Sequence, residues 1–126
     1  MDLARSAPKS GENLGLWLLK IVTGALVIVL LFVHLIVNHF TAQNGLLSYH
    51  DVAVYLSNPW IAWMESVFLV VVVSHALLGL RSILFDLKPS RSVLGAINWV
   101  FSIVGVVAVI YGIWLIRTIV TQGVGG

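Results

Sequence analysis

The sequence has four histidines, and three of them, His34, His39 and His75, stand in or at the edge of long apolar runs. Ionisable groups in such runs are costly and by default functional. An imidazole nitrogen held in an apolar span can be an axial ligand of haem iron; the same ring can also hydrogen-bond a neighbouring helix and do nothing more. Both readings stand for His75, inside the stretch VVVVSHALLGLRSILFDLKPSR from Val70 to Arg91. On a helix, positions four, seven and eleven further on return to within about 40° of one face. Here those are Gly79, Ser82 and Asp86. A glycine one turn from the histidine leaves a flat surface where a porphyrin can lie against backbone. The face carries no second histidine, so another axial ligand has to come from another span or another chain.

His34 and His39 are five apart, which sets them about 140° apart around a helix, too far for both to serve one haem. His34 shares its face with Lys20, Thr23 and Asn38, a polar stripe, and is a candidate second haem ligand. His39 reads as an outer-interface residue and His50 as a surface residue. Arg81 is placed either to pair with haem propionates or to fix membrane topology. Asp86 could accept or relay a proton beside a quinone, or simply flank a turn. Glu65 and Asp51 read as outer-interface residues, and a buried Glu65 would need a partner.

These groups need spans to hold them. The chain of 126 residues is 60% hydrophobic and 10% charged, with mean hydropathy +1.04. Water-soluble domains carry about 25% charged residues, so an all-α membrane protein is expected, with three transmembrane helices over about 16–40, 60–84 and 93–116. A helix over 16–40 would be roughly 37 Å long, enough to cross about 30 Å of hydrocarbon. Residues 1–13 read as a polar arm without the pattern of a secretory signal, 14–122 as the anchor domain, and 123–126 as a flexible tail. In the first connection LLSYHDVAVYL reads as a short interfacial helix with Leu46, Leu47, Val54 and Tyr55 on one face. Ser57-Asn58-Pro59 stops it and starts the second span, with Pro in the first turn. In the third span Ser102, Gly105, Ala108 and Gly112 form a small-residue stripe suited to close helix packing. The absence of cysteine excludes disulfides and thiolate-held iron–sulfur clusters in this chain.

Basic residues set the expected orientation. Arg5, Lys9 and Lys20 flank the start of the first span, and Arg81, Lys88 and Arg91 lie at the turn after the second. The first connection has neither Lys nor Arg. The N-terminus and second turn are therefore expected to be cytoplasmic. His75 then lies about 16 Å from Asp86, and His34 about 21 Å from Lys20, both near mid-membrane.

His75-Ala-Leu-Leu-Gly79-Leu-Arg81, with Asp86 eleven residues after the histidine, resembles the cytochrome b membrane anchors of succinate dehydrogenase (succinate:quinone oxidoreductase, complex II). The resemblance covers about Leu16 to Ile116. It includes the short helix before the second span and Val109-Ile110-Tyr111-Gly112, as in the smaller of the two hydrophobic anchors. Arg81 in its Gly-x-Arg setting is more like the larger anchor. The resemblance implies that His75 is an axial ligand of haem b and that Asp86 lies by the quinone site. Some smaller anchors follow this Asp with a quinone-binding Tyr, where this chain has Leu87. The His34-x4-His39 pair resembles anchors of the two-haem class, in which first-span histidines also ligate. One or two haems b, shared with a second anchor subunit, are implied. So are quinone as substrate, an iron–sulfur subunit, a flavoprotein subunit, a higher oligomer of the whole complex and the inner membrane of a prokaryote. A haem-free anchor, a fumarate reductase anchor, and a small proton-coupled transporter or helper protein using His34 and His75 are the alternatives.

Overall fold

The computed structural model describes residues 13–41 and 47–123. The expected polar arm, apart from Asn13, lies outside the described residues, as do Leu46 and positions 124–126. Four helices follow one another: α1 (Leu14–Thr41), α2 (Tyr49–Ser57), α3 (Pro59–Asp86) and α4 (Arg91–Gly123). The three long ones are apolar enough to cross a membrane. At 28 residues, α3 reaches about 42 Å, which leaves room for tilt. No strand occurs among the described residues.

The helix boundaries are set locally. The Asn58 side chain accepts from the Trp60 amide and Pro59 fills the first turn of α3, as the Ser-Asn-Pro sequence predicts. Ser48 caps α2 in a reciprocal box: its hydroxyl accepts from the Asp51 amide, and the Asp51 side chain accepts from the Ser48 amide at 2.8 Å. The α3–α4 turn is closed by Lys88, whose φ of 54° is left-handed without being glycine. There its amide donates to the Phe85 carbonyl at 2.9 Å and satisfies one orphan carbonyl of the helix end.

Helix α3 is the middle element, packed on α1 along one side and α4 along the other, with α2 laid against α3 and α4. The small-residue stripe of α4 does what its spacing predicts. A Cβ at Gly105 would come within 2.9 Å of Leu77, and one at Gly112 would overlap Leu69, so α3 leucines seat on α4 glycines. One expectation is corrected in part: of the α2 face drawn through Val54 and Tyr55, Tyr55 is buried as expected, but Val54 is 53% exposed and Ala53 and Leu56 take the inward positions instead. The packing partner of α2 is the end of α4, where a Cβ at Gly123 would overlap Ala53. Helix α4 itself runs past the expected end of the third span at 116, through Gly123.

Very little is sealed from the surroundings. Among the described residues Ala53, Tyr55, Leu56 and Thr23 are buried, and α3 and α4 have no buried residue. Apolar side chains such as Ile28, Phe32, Ile83 and Trp99 project outward. In a soluble domain that would be untenable; in lipid, or against another hydrophobic chain, it is the expected surface.

Candidate functional site

The polar stripe of α1 faces α3, and its members are matched rung by rung as the two antiparallel helices pass. Near the start of α1, the Lys20 ammonium donates to the Ser82 hydroxyl at 2.8 Å. One turn further, Thr23 meets His75, with Oγ1 and Nδ1 3.2 Å apart. Near the other end, His34 Nδ1 lies 2.8 and 2.9 Å from the two carboxylate oxygens of Glu65. Interhelical hydrogen bonds of this kind hold helices together in lipid at about 0.6 kcal/mol each on average, and up to about 1.7.

At the His75 rung the ring edge lies on Gly24, where a Cβ would approach Cε1 to 3.1 Å. Thr23 is only 6% exposed, and its hydroxyl reaches back to the Leu19 carbonyl at 2.7 Å. His75 Nε2 has no hydrogen bond among the described residues, and no buried side-chain nitrogen or oxygen among them is left unpaired. Nε2 is therefore not wholly sealed by this chain, and it lies along the Gly24 edge, where a Cβ would stand 3.9 Å from it. Gly79, one turn on, has nothing within 4 Å of where a Cβ would stand, so the chain leaves that position uncovered.

The His34 rung belongs to a larger cluster. The Tyr55 hydroxyl of α2 donates to Glu65 at 2.5 Å, and the Asn38 amide donates to the His34 carbonyl at 2.8 Å and to the Tyr55 hydroxyl at 3.3 Å. The Asn38 nitrogen also lies 3.3 Å from His34 Nε2. Phe68 covers the imidazole with ring centroids 5.1 Å apart. Glu65, 13% exposed, thus has the partner that its place in an apolar span demands. Burial first, then the hydrogen bond to Glu65 and its charge, hold the Tyr55 phenol well above the usual tyrosine range. The cluster lines a cavity of about 430 Å³ closed partly by Leu69 and Ile116.

The remaining expected residues fall outside these rungs. Arg81 is half-buried; its Nε donates to Asn98 of α4 at 2.7 Å, and its guanidinium lies 6.0 Å from the Phe85 ring. It stands at one end of an apolar groove of about 710 Å³ lined by Leu77, Phe101 and Gly105 among others. Asp86 is the exposed last residue of α3. A carboxylate there opposes the helix dipole, so helix stability gives no reason for its presence. His39 and His50 are exposed. Asp51 is engaged in the α2 cap, and hydrogen bonds from the Ser48 side chain and backbone hold its carboxyl below the usual range. Thr23, Gly24, Tyr55 and Asn98 are site neighbours that spacing alone does not single out as partners.

No three His, Asp or Glu among the described residues gather to hold a bare metal ion. An axial haem ligand would need only one imidazole from each contributor, and His75 fits such a role: Nδ1 faces Thr23, and Nε2 has no hydrogen bond among the described residues.

The family model of the succinate dehydrogenase/fumarate reductase transmembrane subunit matches residues 2–112. The chain is also similar to the succinate dehydrogenase hydrophobic membrane anchor subunit of Archaeoglobus fulgidus, at 31% identity over 103 residues, which are 82% of this chain and 87% of that protein. No solved structure matches it. Three apolar helices, the uncovered outer faces and these two likenesses lead to one conclusion: this chain belongs to the succinate dehydrogenase/fumarate reductase transmembrane anchor family.

Proposed function

We propose that the chain is a haem b-binding anchor of a succinate:quinone oxidoreductase, joining a second anchor subunit and the iron–sulfur and flavoprotein subunits at a prokaryotic cytoplasmic membrane. The observation that carries this reading is the state of His75: an imidazole on an apolar span-length helix, facing Thr23 through one nitrogen and without a hydrogen bond at the other among the described residues, in a chain of the anchor family. Haem, when bound, supplies one-electron transfer, and a second histidine from the other anchor would leave no open position for oxygen. The rest is the work of this chain's own side chains. Helix α1 holds the ring of His75. Arg81, at the mouth of the α3–α4 groove, offers a cation to propionates. Asp86 offers an exposed carboxylate to a quinone at the same end, and that end is assigned to the cytoplasm by its basic residues.

His34 is the second-haem candidate, and one observation favours it. A carboxylate on Nδ1 is an arrangement that orients a ligating imidazole and raises its basicity. The Asn38 nitrogen beside Nε2 would have to yield.

The test is to purify the chain with its native partners and record reduced-minus-oxidised spectra. The expected result is b-type absorbance co-purifying with a flavoprotein, lost in His75→Ala while the subunits stay together. A complex with no b-type absorbance, or one in which His75→Ala keeps its haem, refutes the reading. Haem-to-flavin ratio in His34→Ala counts the haems: an unchanged ratio removes His34 as a ligand.

A further inference from the structure

The half-site around His75 contains a device that the ligand assignment leaves unexplained. The Thr23 hydroxyl has a single proton and three oxygen or nitrogen neighbours: the carbonyls of Leu19 at 2.7 Å and Lys20 at 3.1 Å, and His75 Nδ1 at 3.2 Å. The shorter distances send the proton back along α1 to its own helix, a common bond for threonine in apolar helices. What Thr23 then turns toward His75 is a lone pair. An acceptor facing Nδ1 requires the proton to sit on Nδ1, and a neutral imidazole with Nδ1–H has its lone pair on Nε2. Nε2 is the nitrogen without a hydrogen bond among the described residues, and this chain does not wholly seal it. Gly24 completes the seat: its missing Cβ leaves room for the Cε1 edge, which a methyl would approach to 3.1 Å.

We infer that Thr23 and Gly24 are positioning residues for His75, the hydroxyl selecting the Nδ1–H tautomer and the glycine setting the ring plane, so that Nε2 is presented as a ready donor. The inference rests on His75 as the haem ligand. Thr23 is buried, and beyond the carbonyls of its own helix its hydroxyl faces only His75 among the described residues. Outer partners that hold a ligating histidine typically matter by 10–100-fold in affinity for the bound group.

The experiment compares the intact purified complex carrying wild-type chain, Thr23→Val, Thr23→Ser, Gly24→Ala and His75→Ala. Three quantities are read: haem retained per flavin after detergent washing, the ferric low-spin EPR signal, and the haem midpoint potential. Thr23→Val keeps the shape and removes the acceptor. The expected result is haem loss on washing faster by about tenfold or more, with an altered EPR signal and a shifted potential. Thr23→Ser restores all three toward wild type, as a merely volume-filling threonine would not. Gly24→Ala, with the hydroxyl intact, changes the EPR signal by tilting the ring. If Thr23→Val does not assemble, the Gly24→Ala signal and the Thr23→Ser values decide. Haem kept by His75→Ala overturns the ligand assignment and this inference with it. Haem lost in His75→Ala, but wild-type retention, EPR signal and potential in Thr23→Val and Gly24→Ala, overturns the seat alone.

Discussion

Removing the Tyr55 hydroxyl tests whether the cluster around Glu65 holds α2 against the bundle. Tyr55 is buried, and its hydroxyl donates to a carboxylate that is 13% exposed and also engaged by His34. Hydrogen bonds to charged groups contribute about 1.5–3 kcal/mol, whereas couplings measured between groups in lipid reach at most about 1.7. A value near 1.5 kcal/mol satisfies both, and it corresponds to about a tenfold change in an opening equilibrium. Apart from Tyr55, α2 buries only Ala53 and Leu56, so the change should appear as local undocking. Amide hydrogen exchange on the purified complex is the assay. In Tyr55→Phe the α2 amides should exchange about tenfold faster, with the centre of α4 unchanged. Glu65→Leu should be worse, because it strands both the tyrosine hydroxyl and the His34 ring. In the double variant the two losses should fall short of their sum by about 1 kcal/mol or more. Losses that add within about 0.3 kcal/mol, the scatter of independent sites, would mean that the two groups are uncoupled and the reasoning is wrong.

The same phenol should make α2 sensitive to alkali. Its pKa is raised by burial and by Glu65, so the stability it contributes is complete below the ordinary tyrosine value and is lost as pH rises above it; α2 protection should fall in strong alkali in the wild type and much less in Tyr55→Phe. At the acid end the sign reverses: the Asp51 carboxyl is lowered by its bonds to Ser48, so its contribution to the α2 cap is present above the ordinary carboxylate range and disappears as pH falls through the lowered value, a dependence that Ser48→Ala should remove. Gly112→Leu would drive a side chain into Leu69 and should cost about 1–3 kcal/mol of α3–α4 packing, read as an earlier thermal loss of the assembled complex, while Ala108→Gly should cost no more than the roughly 1 kcal/mol of helix propensity that separates glycine from alanine.

The helices are legible in the sequence because span length, interfacial Trp and Pro59 leave few other arrangements, and the α4 glycines declare their packing role by spacing alone. The polar stripe of α1 is legible too, since Lys20, Thr23, His34 and Asn38 recur on one face. What spacing within a helix cannot supply is the partner. That His75 meets Thr23 while His34 meets Glu65 depends on how far α3 slides past α1, a tertiary quantity. The inward face of α2 escapes the sequence in part, for a similar reason. Tyr55 is legible, but the surface that Ala53 packs on comes from the end of α4, beyond the arginine where composition suggests a span should stop.

The register of α3 on α1 ties these observations together. Sliding either helix by one turn, about 5.4 Å, would separate all three rungs at once. Lys20 and Glu65 would then face hydrocarbon or unmatched backbone, a penalty of several kcal/mol in a medium without water. Apolar packing alone sets no such register, because lipid tails are as apolar as the leucines and valines of these helices. The charged and polar groups therefore fix where His75 stands against α1. In the outer rung the cluster groups bond chiefly to one another, and both nitrogens of His34 have neighbours within 3.3 Å. In the Thr23 rung Nε2 of His75 keeps no hydrogen bond among the described residues. A fold with so few buried side chains among its described residues suits lipid or another hydrophobic chain against its outer faces.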